Sequence, residues 1–127
     1  MNKTIIKTTN APTPVGPYNQ AVKANGFIFL SGQIPLDKTT GALISGGVKE
    51  QTRQVITYIK AILEDSGSSL ERIVKATVFL KDMNTFADMN SVYSEFFKPE
   101  NAPARSTIEV ARLPKDVMVE IEVVALA

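Results

Sequence analysis

Apolar residues recur along this chain with two different periods, and the switches between them outline a fold. From Val48 to Ser66, the residues Val48, Val55, Ile59, Ile62 and Leu63 share one helical face, while Lys49, Glu50, Arg53, Lys60 and Glu64 lie mostly elsewhere. Gly67 is placed to end this helix as its C′ residue. A second stripe, Phe86, Met89, Tyr93, Phe96 and Phe97, predicts a helix from Asn84 to Phe97. Asn84 can cap its start, and Pro99 bars much continuation. These aromatic positions read as core, not as a cofactor pocket.

The period then shortens to two. Phe27–Leu30 is a short apolar run after the turn pair Asn25-Gly26, and with QAVKA before it the segment predicts a hairpin. In RIVKATVFL, Val74, Ala76, Val78 and Leu80 alternate with Ile73, Lys75, Thr77 and Phe79. The last two strands, ARSTIEVA and VMVEIEVVALA, flank RLPKD, a turn-like loop with Pro114 and Lys115 at its tip. An extra N-terminal strand fits KTIIKT. The order β-β-α-β-α-β-β predicts an α+β sandwich, one domain over residues 1–127, with two helices on one face of a sheet.

Strand parity raises a question about the C-terminus. The odd positions Val117, Val119, Ile121, Val123 and Ala125 are uniformly apolar and suit packing under the helices. The even positions Met118, Glu120, Glu122, Val124 and Leu126 form a mixed face, and a buried carboxylate there would cost on the order of several kcal/mol unless compensated. If ARSTIEVA forms a hairpin with this strand, Arg105, Thr107 and Glu109 share that mixed face with both glutamates. One register sets Thr107 opposite Glu120 and leaves Arg105 diagonal to it at roughly 7–8 Å. Such a gap would hold a small anion or close into an ion pair, and the pattern alone favours the pair. Ile73 and Phe79 add to an apolar area that favours burial against another subunit.

Composition narrows the chemistry. A 127-residue chain with 44% apolar and 21% charged residues is ordinary for a globular protein. A net charge of +1 without a basic aromatic patch gives no footprint for nucleic acid or an anionic membrane. The sequence has no membrane-length apolar stretch, and MNKTIIKTTNAP lacks a secretory h-region. A cytoplasmic protein is therefore expected, or a mitochondrial one if a presequence has been removed. There is no cysteine and no histidine, which excludes thiolate chemistry and removes the usual general base and zinc ligand. Chemistry without a cofactor is left to carboxylates, Arg, Lys, Tyr, hydroxyls and backbone amides.

Several short motifs bear on that menu. PVGPYNQA sets Tyr18 behind a stiff Gly-Pro turn, although a packed tyrosine with a wet hydroxyl fits as well. LSGQIPL leaves Ser31 and Gly32 at a strand end, where free amides can receive ligand oxygens, or simply a turn. GALISGG lacks the Gly-Lys-Ser/Thr of a phosphate loop. Lys115-Asp116 reads as a solvated hairpin tip, and Arg53 and Arg112 as surface residues without a nameable partner. Asp65, Asp82 and Asp88 lack metal-ligand spacing, so no metal is expected.

Taken together, NAPTPVGPYNQA, FLSGQIPLD, VKATVFLKDMNTFADMNSVYSEFF and PARSTIEVARLPKDVMVEIEVVALA resemble the Rid (YjgF-type, L-PSP) family, in particular its RidA subgroup of reactive intermediate deaminases. The likeness covers essentially the whole chain, and PARS followed by EVARLPKD and EIE is its most specific part. The resemblance implies a chorismate-mutase-like α+β fold, a homotrimer with pockets at subunit interfaces, and cofactor-free hydrolysis of 2-imino acids to 2-oxo acids and ammonia. These imino acids derive from 2-aminoacrylate and 2-aminocrotonate released by pyridoxal-phosphate enzymes.

By the same resemblance, Arg105 binds the substrate carboxylate and Glu120 orients or activates the attacking water. Tyr18 closes the pocket from a neighbouring subunit, and Ser31 and Gly32 line it. Thr107, where many members have cysteine, also lines it, which rules out thiol chemistry at that position. Glu122 is read as structural, balancing a basic group or Arg105 at the subunit interface. Two other readings stand beside this one: an endoribonuclease or translation inhibitor, which the near-neutral charge disfavours, and a non-catalytic small-ligand sensor or holdase using the same pocket.

Overall fold

The computed structural model describes residues 2–127. Its strands are β1 (Lys3–Ile6), β2 (Ala21–Ala24), β3 (Phe27–Gln33), β4 (Ile73–Leu80), β5 (Ala104–Glu109) and β6 (Val119–Leu126). Helix α1 (Val48–Asp65) lies between β3 and β4, and α2 (Phe86–Phe96) between β4 and β5. The strands form one sheet in the order β1-β2-β3-β6-β4-β5, antiparallel except where β4 pairs β5. This is the α+β architecture the patterning predicts, including the N-terminal strand. No helix among the described residues is long and apolar enough to cross a membrane.

Local signals explain most of these elements. Asn25 and Gly26 both have positive φ, 52° and 84°, the turn that matches the twist of a two-residue hairpin between β2 and β3. At the start of α1 the Gly47 N–H donates to Glu50 Oε1 at 2.7 Å, and at its end Gly67 has φ 87° while the Ser68 N–H returns to the Leu63 carbonyl at 2.8 Å. The expected apolar face, Val48, Val55, Ile59, Ile62 and Leu63, is buried in full. Helix α2 begins later than the sequence suggests. Asp82, not Asn84, is the capping residue: its Oδ1 accepts from the Asn84 N–H at 2.9 Å and opens a short 3-10 turn ahead of Phe86.

Strand β6 sits in the middle of the sheet, and its odd residues Val119, Ile121, Val123 and Ala125 are buried beneath the helices as parity requires. The expected hairpin between β5 and β6 does not form. Strand β5 is the sheet edge and runs parallel to β4, while β6 lies on the other side of β4. Two parallel neighbours need a crossover, and α2 supplies it; the Val110–Met118 segment then passes across the end of β4 rather than turning tightly. Arg112 is ion-paired with Asp116 across that segment at 2.8 Å, and Arg53 on α1 is paired with Glu95 on α2 at 3.0 Å, so both arginines have partners.

This topology reverses the expected face of β5. Ala76 of β4 pairs with both Arg105 and Val123, so Arg105 and, two residues on, Thr107 stand on the helix side. Ser106 and Ile108 share the open side with Thr77, Phe79, Glu120 and Glu122. Ile73 is also corrected: a bulge at Val74 shifts the pairing, turns Ile73 into the core and leaves Val74 exposed. The open face carries Phe27, Phe29, Ile108 and Leu126, each at least a third exposed.

Candidate functional site

The site begins with an irregularity in β3. Between Leu30 and Gln33 its pairing with β6 slips, so that Ser31 and Gly32 bulge beside Glu120. The Ser31 N–H donates to the Gln20 carbonyl at 2.9 Å and its hydroxyl donates to the Asn19 carbonyl at 2.6 Å. Gly32 leaves space that Glu120 occupies: a β-carbon there would run into Oε2 and lie 2.8 Å from the carboxyl carbon. The glycine is required for this close approach rather than for an unusual φ.

The Glu120 side chain is half-buried, and among the described residues no hydrogen bond or ion pair reaches its carboxylate. Burial raises its pKa above the ordinary carboxylate value, and the negative charge of Glu122 on the same face adds to the rise. A cleft of about 420 Å3 over the carboxylate is lined by Tyr18, Ser31, Gly32, Ile34 and Pro114. Tyr18, Ser31, Gly32 and Glu120 of one chain are thus brought together, whereas the resemblance implies a Tyr18 that closes the pocket from a neighbouring subunit.

Tyr18 reaches the cleft on a loop held by a residue that the sequence reading missed. Gln20 is 3% exposed; its Nε2 donates to the carbonyls of Thr8 and Pro12 at 3.0 and 2.9 Å, and its Oε1 accepts from the Thr8 N–H at 2.8 Å. A lone glutamine before a strand gives no sequence signal of such a clamp. Its effect appears only once the chain folds over it.

Arg105 and Thr107 are elsewhere. On the helix side of β5, the Arg105 guanidinium lies 4.5 Å over the ring of Tyr93 and 5.6 Å from that of Phe86, and its Nη1 donates to Asn90 Oδ1 at 2.7 Å. Phe86, Asn90 and Tyr93 stand four and three residues apart on α2, which puts all three on the face that meets Arg105. Asn90 was legible as the one polar residue inside an aromatic stripe, and was missed. A cleft of about 590 Å3 beside this group is lined by Asn90, Tyr93, Ser94, Lys98, Pro103 and Arg105, with no carboxylate among its walls. Thr107 Oγ1 is buried without a hydrogen-bond partner among the described residues.

Stacking uses the face of a guanidinium and leaves its in-plane N–H groups free, and among the described residues only Asn90 accepts from one. This half is suited to a carboxylate or similar planar anion. The two clefts have no residue in common, so Arg105 and Glu120 of one chain do not meet on one sheet surface. The register that sets Thr107 opposite Glu120 is excluded by the strand order.

Fold and clefts define a small α+β protein with a half-buried, raised-pKa carboxylate on one side of its sheet and an arginine beside an open cleft on the other. A family described as Endoribonuclease L-PSP matches residues 8–127. A RutC family protein of Pyrococcus horikoshii is 58% identical over 123 residues, covering 97% of each chain. The 2-iminobutanoate/2-iminopropanoate deaminase of Salmonella typhimurium is 51% identical over 128 residues, covering 99% of this chain and 98% of the relative. The crystal structure of Escherichia coli TdcF with bound serine superposes with a TM-score of 0.90 at 44% identity, covering 98% of both chains. The chain belongs to the L-PSP family, the YjgF or Rid proteins.

Proposed function

We propose that this protein hydrolyses 2-imino acids to 2-oxo acids and ammonia at sites shared between copies of the chain, in the homotrimer that the resemblance implies. One observation carries the reading: an arginine and a carboxylate, each without an oppositely charged partner among the described residues, occupy opposite sides of the same sheet. Each is half of a site for a substrate bearing a carboxylate and an electrophilic carbon. Two copies that bring the Arg105 cleft of one against the Glu120 cleft of the next complete it. The apolar open face, with Phe27, Phe29, Ile108 and Leu126 exposed, supports burial against further copies. The deaminase name of the Salmonella relative and the serine bound by the E. coli relative, an amino acid with a free carboxylate, point the same way.

In this mechanism Arg105 holds the substrate carboxylate through its in-plane N–H groups. Glu120, ionised, takes a proton from a water whose oxygen attacks the imine carbon. Glu120 returns that proton to the carbinolamine nitrogen and takes the hydroxyl proton as the C–N bond breaks. Ammonia leaves, carrying the last proton away as ammonium, and the 2-oxo acid remains with no change of oxidation state. A protonated imine is already electrophilic, so positioning and one general base are enough. A raised pKa makes Glu120 a stronger base than an exposed carboxylate.

The test couples a threonine dehydratase to the purified protein and traps residual imine with semicarbazide. Faster loss of trappable imine with the wild type, and none with Arg105→Ala, is the expected result. Equal acceleration by Arg105→Ala would sink the mechanism. RNA cleavage lost in the same variant would instead favour the activity named in the family description.

A further inference from the structure

Tyr93 is 6% exposed, and its hydroxyl is buried without a hydrogen-bond partner among the described residues. A buried orphan hydroxyl costs on the order of 1–3 kcal/mol relative to a paired one. A phenylalanine would keep the ring, its 4.5 Å stack on Phe97 and its 4.5 Å contact with Arg105, and would avoid that cost. The hydroxyl thus lacks a hydrogen bond of good geometry among the described residues; burial raises its pKa, and the Arg105 guanidinium beside it opposes that rise. Its ring carries the guanidinium, and Tyr93 lines a cleft whose walls include Arg105 and Asn90 and, among the described residues, no acidic group.

We propose that Tyr93 is a binding residue of the anion site, its hydroxyl a hydrogen-bond donor reserved for the carboxylate that Arg105 holds. The ring supports the guanidinium from its face, and the hydroxyl adds a donor from outside the guanidinium plane. A carboxylate has about four acceptor positions, so a bidentate pair with arginine leaves room for a further donor. Ligands whose planar anion can take both are the class this site selects: 2-oxo acids, their imines and related amino acids. This rests on the assignment of Arg105 to the substrate carboxylate.

The experiment is titration of 2-oxobutanoate into the assembled protein by calorimetry, with Tyr93→Phe and Arg105→Ala in parallel and melting temperatures recorded. Tyr93→Phe is expected to weaken binding by about 13- to 160-fold, the range for one hydrogen bond to a charged group, and to leave the melting temperature unchanged or higher. Undiminished binding by Tyr93→Phe, with binding lost in Arg105→Ala, overturns this inference alone. A fall in melting temperature that accompanies the weaker binding also overturns it, because the hydroxyl is then structural. Undiminished binding by Arg105→Ala overturns the carboxylate assignment and this inference with it.

Discussion

Gly32 and Glu120 touch so closely that no side chain fits between them: the glutamate carboxyl fills the space a β-carbon at position 32 would need. The atoms in the way are the far end of a flexible side chain, so Gly32→Ala displaces the carboxylate rather than the backbone. Stability should change by less than about 1 kcal/mol, because only a partly exposed end group moves. Turnover should fall by about 100-fold, since a displacement near 1 Å in a positioned catalytic group costs that much. Steady-state kinetics beside a denaturant melt separates the two effects, and a variant that loses stability but keeps its rate would remove Glu120 from the chemistry.

Glu120 gives a second prediction, in which stability and activity move in opposite directions. Its pKa is raised in the folded state, by burial first and by Glu122 second. A raised carboxyl pKa means that the folded protein binds the proton more tightly than the unfolded chain. The favourable contribution is fully present below the unfolded pKa and is lost as pH rises through the folded one. At neutral pH Glu120→Gln should therefore melt higher than wild type, with the gain vanishing toward acid pH, while its turnover collapses. The acid limb of kcat/KM for the wild type should lie above the ordinary carboxylate range and move down in Glu122→Gln. A melting temperature lowered by Glu120→Gln at pH 7 would contradict this.

These effects depend on features with unequal sequence signals. The helices and the buried parity of β6 were legible because Val55 to Leu63 and Val119 to Ala125 each hold one period, although the buried Gln51 and Thr52 interrupt the apolar face of α1 near its start. The face of β5 was not, because parity transfers between strands only when their neighbours are known, and neighbours are decided by long-range pairing. A cue was present: β4, α2 and β5 form a strand–helix–strand unit, which favours parallel pairing, and the Val110–Met118 segment is long for a hairpin turn. The bulge at Val74 likewise flips Ile73 without any glycine to announce it. Tyr18, Ser31, Gly32, Arg105, Thr107 and Glu120 stand out through their motifs and the family resemblance, yet their division between the two sides of the sheet belongs to the strand order alone.

Gln20 should prove as important to the fold as a core residue. It is buried, and its amide bridges the backbone at Thr8 and Pro12 through donors and an acceptor. Gln20→Ala leaves the Thr8 N–H and at least two carbonyls without their partner, at roughly 1–3 kcal/mol for each group that stays buried. A loss of about 2–4 kcal/mol in chemical denaturation is expected after partial rehydration of the segment. Activity should fall as well, because the same segment leads to Tyr18. A neutral Gln20→Ala would mean that water replaces the amide without cost.

The division between clefts leads to a prediction about mixed assemblies. Arg105 stands on the helix side of β5 and Glu120 on the open side of β6, so a site using both takes them from different copies. Arg105→Ala and Glu120→Gln should each be inactive alone. Coexpressed in equal amounts and assembled at random, they should recover about a quarter of the wild-type rate, because each shared site needs an intact arginine from one neighbour and an intact glutamate from the other. Each requirement is met half the time. Sites made within one chain would recover nothing, since every chain then carries a defect in its own site. Recovery that vanishes on changing the ratio to either single variant would tie the rate to mixed interfaces, and absence of recovery in assemblies shown by mass spectrometry to contain both variants would overturn the shared site.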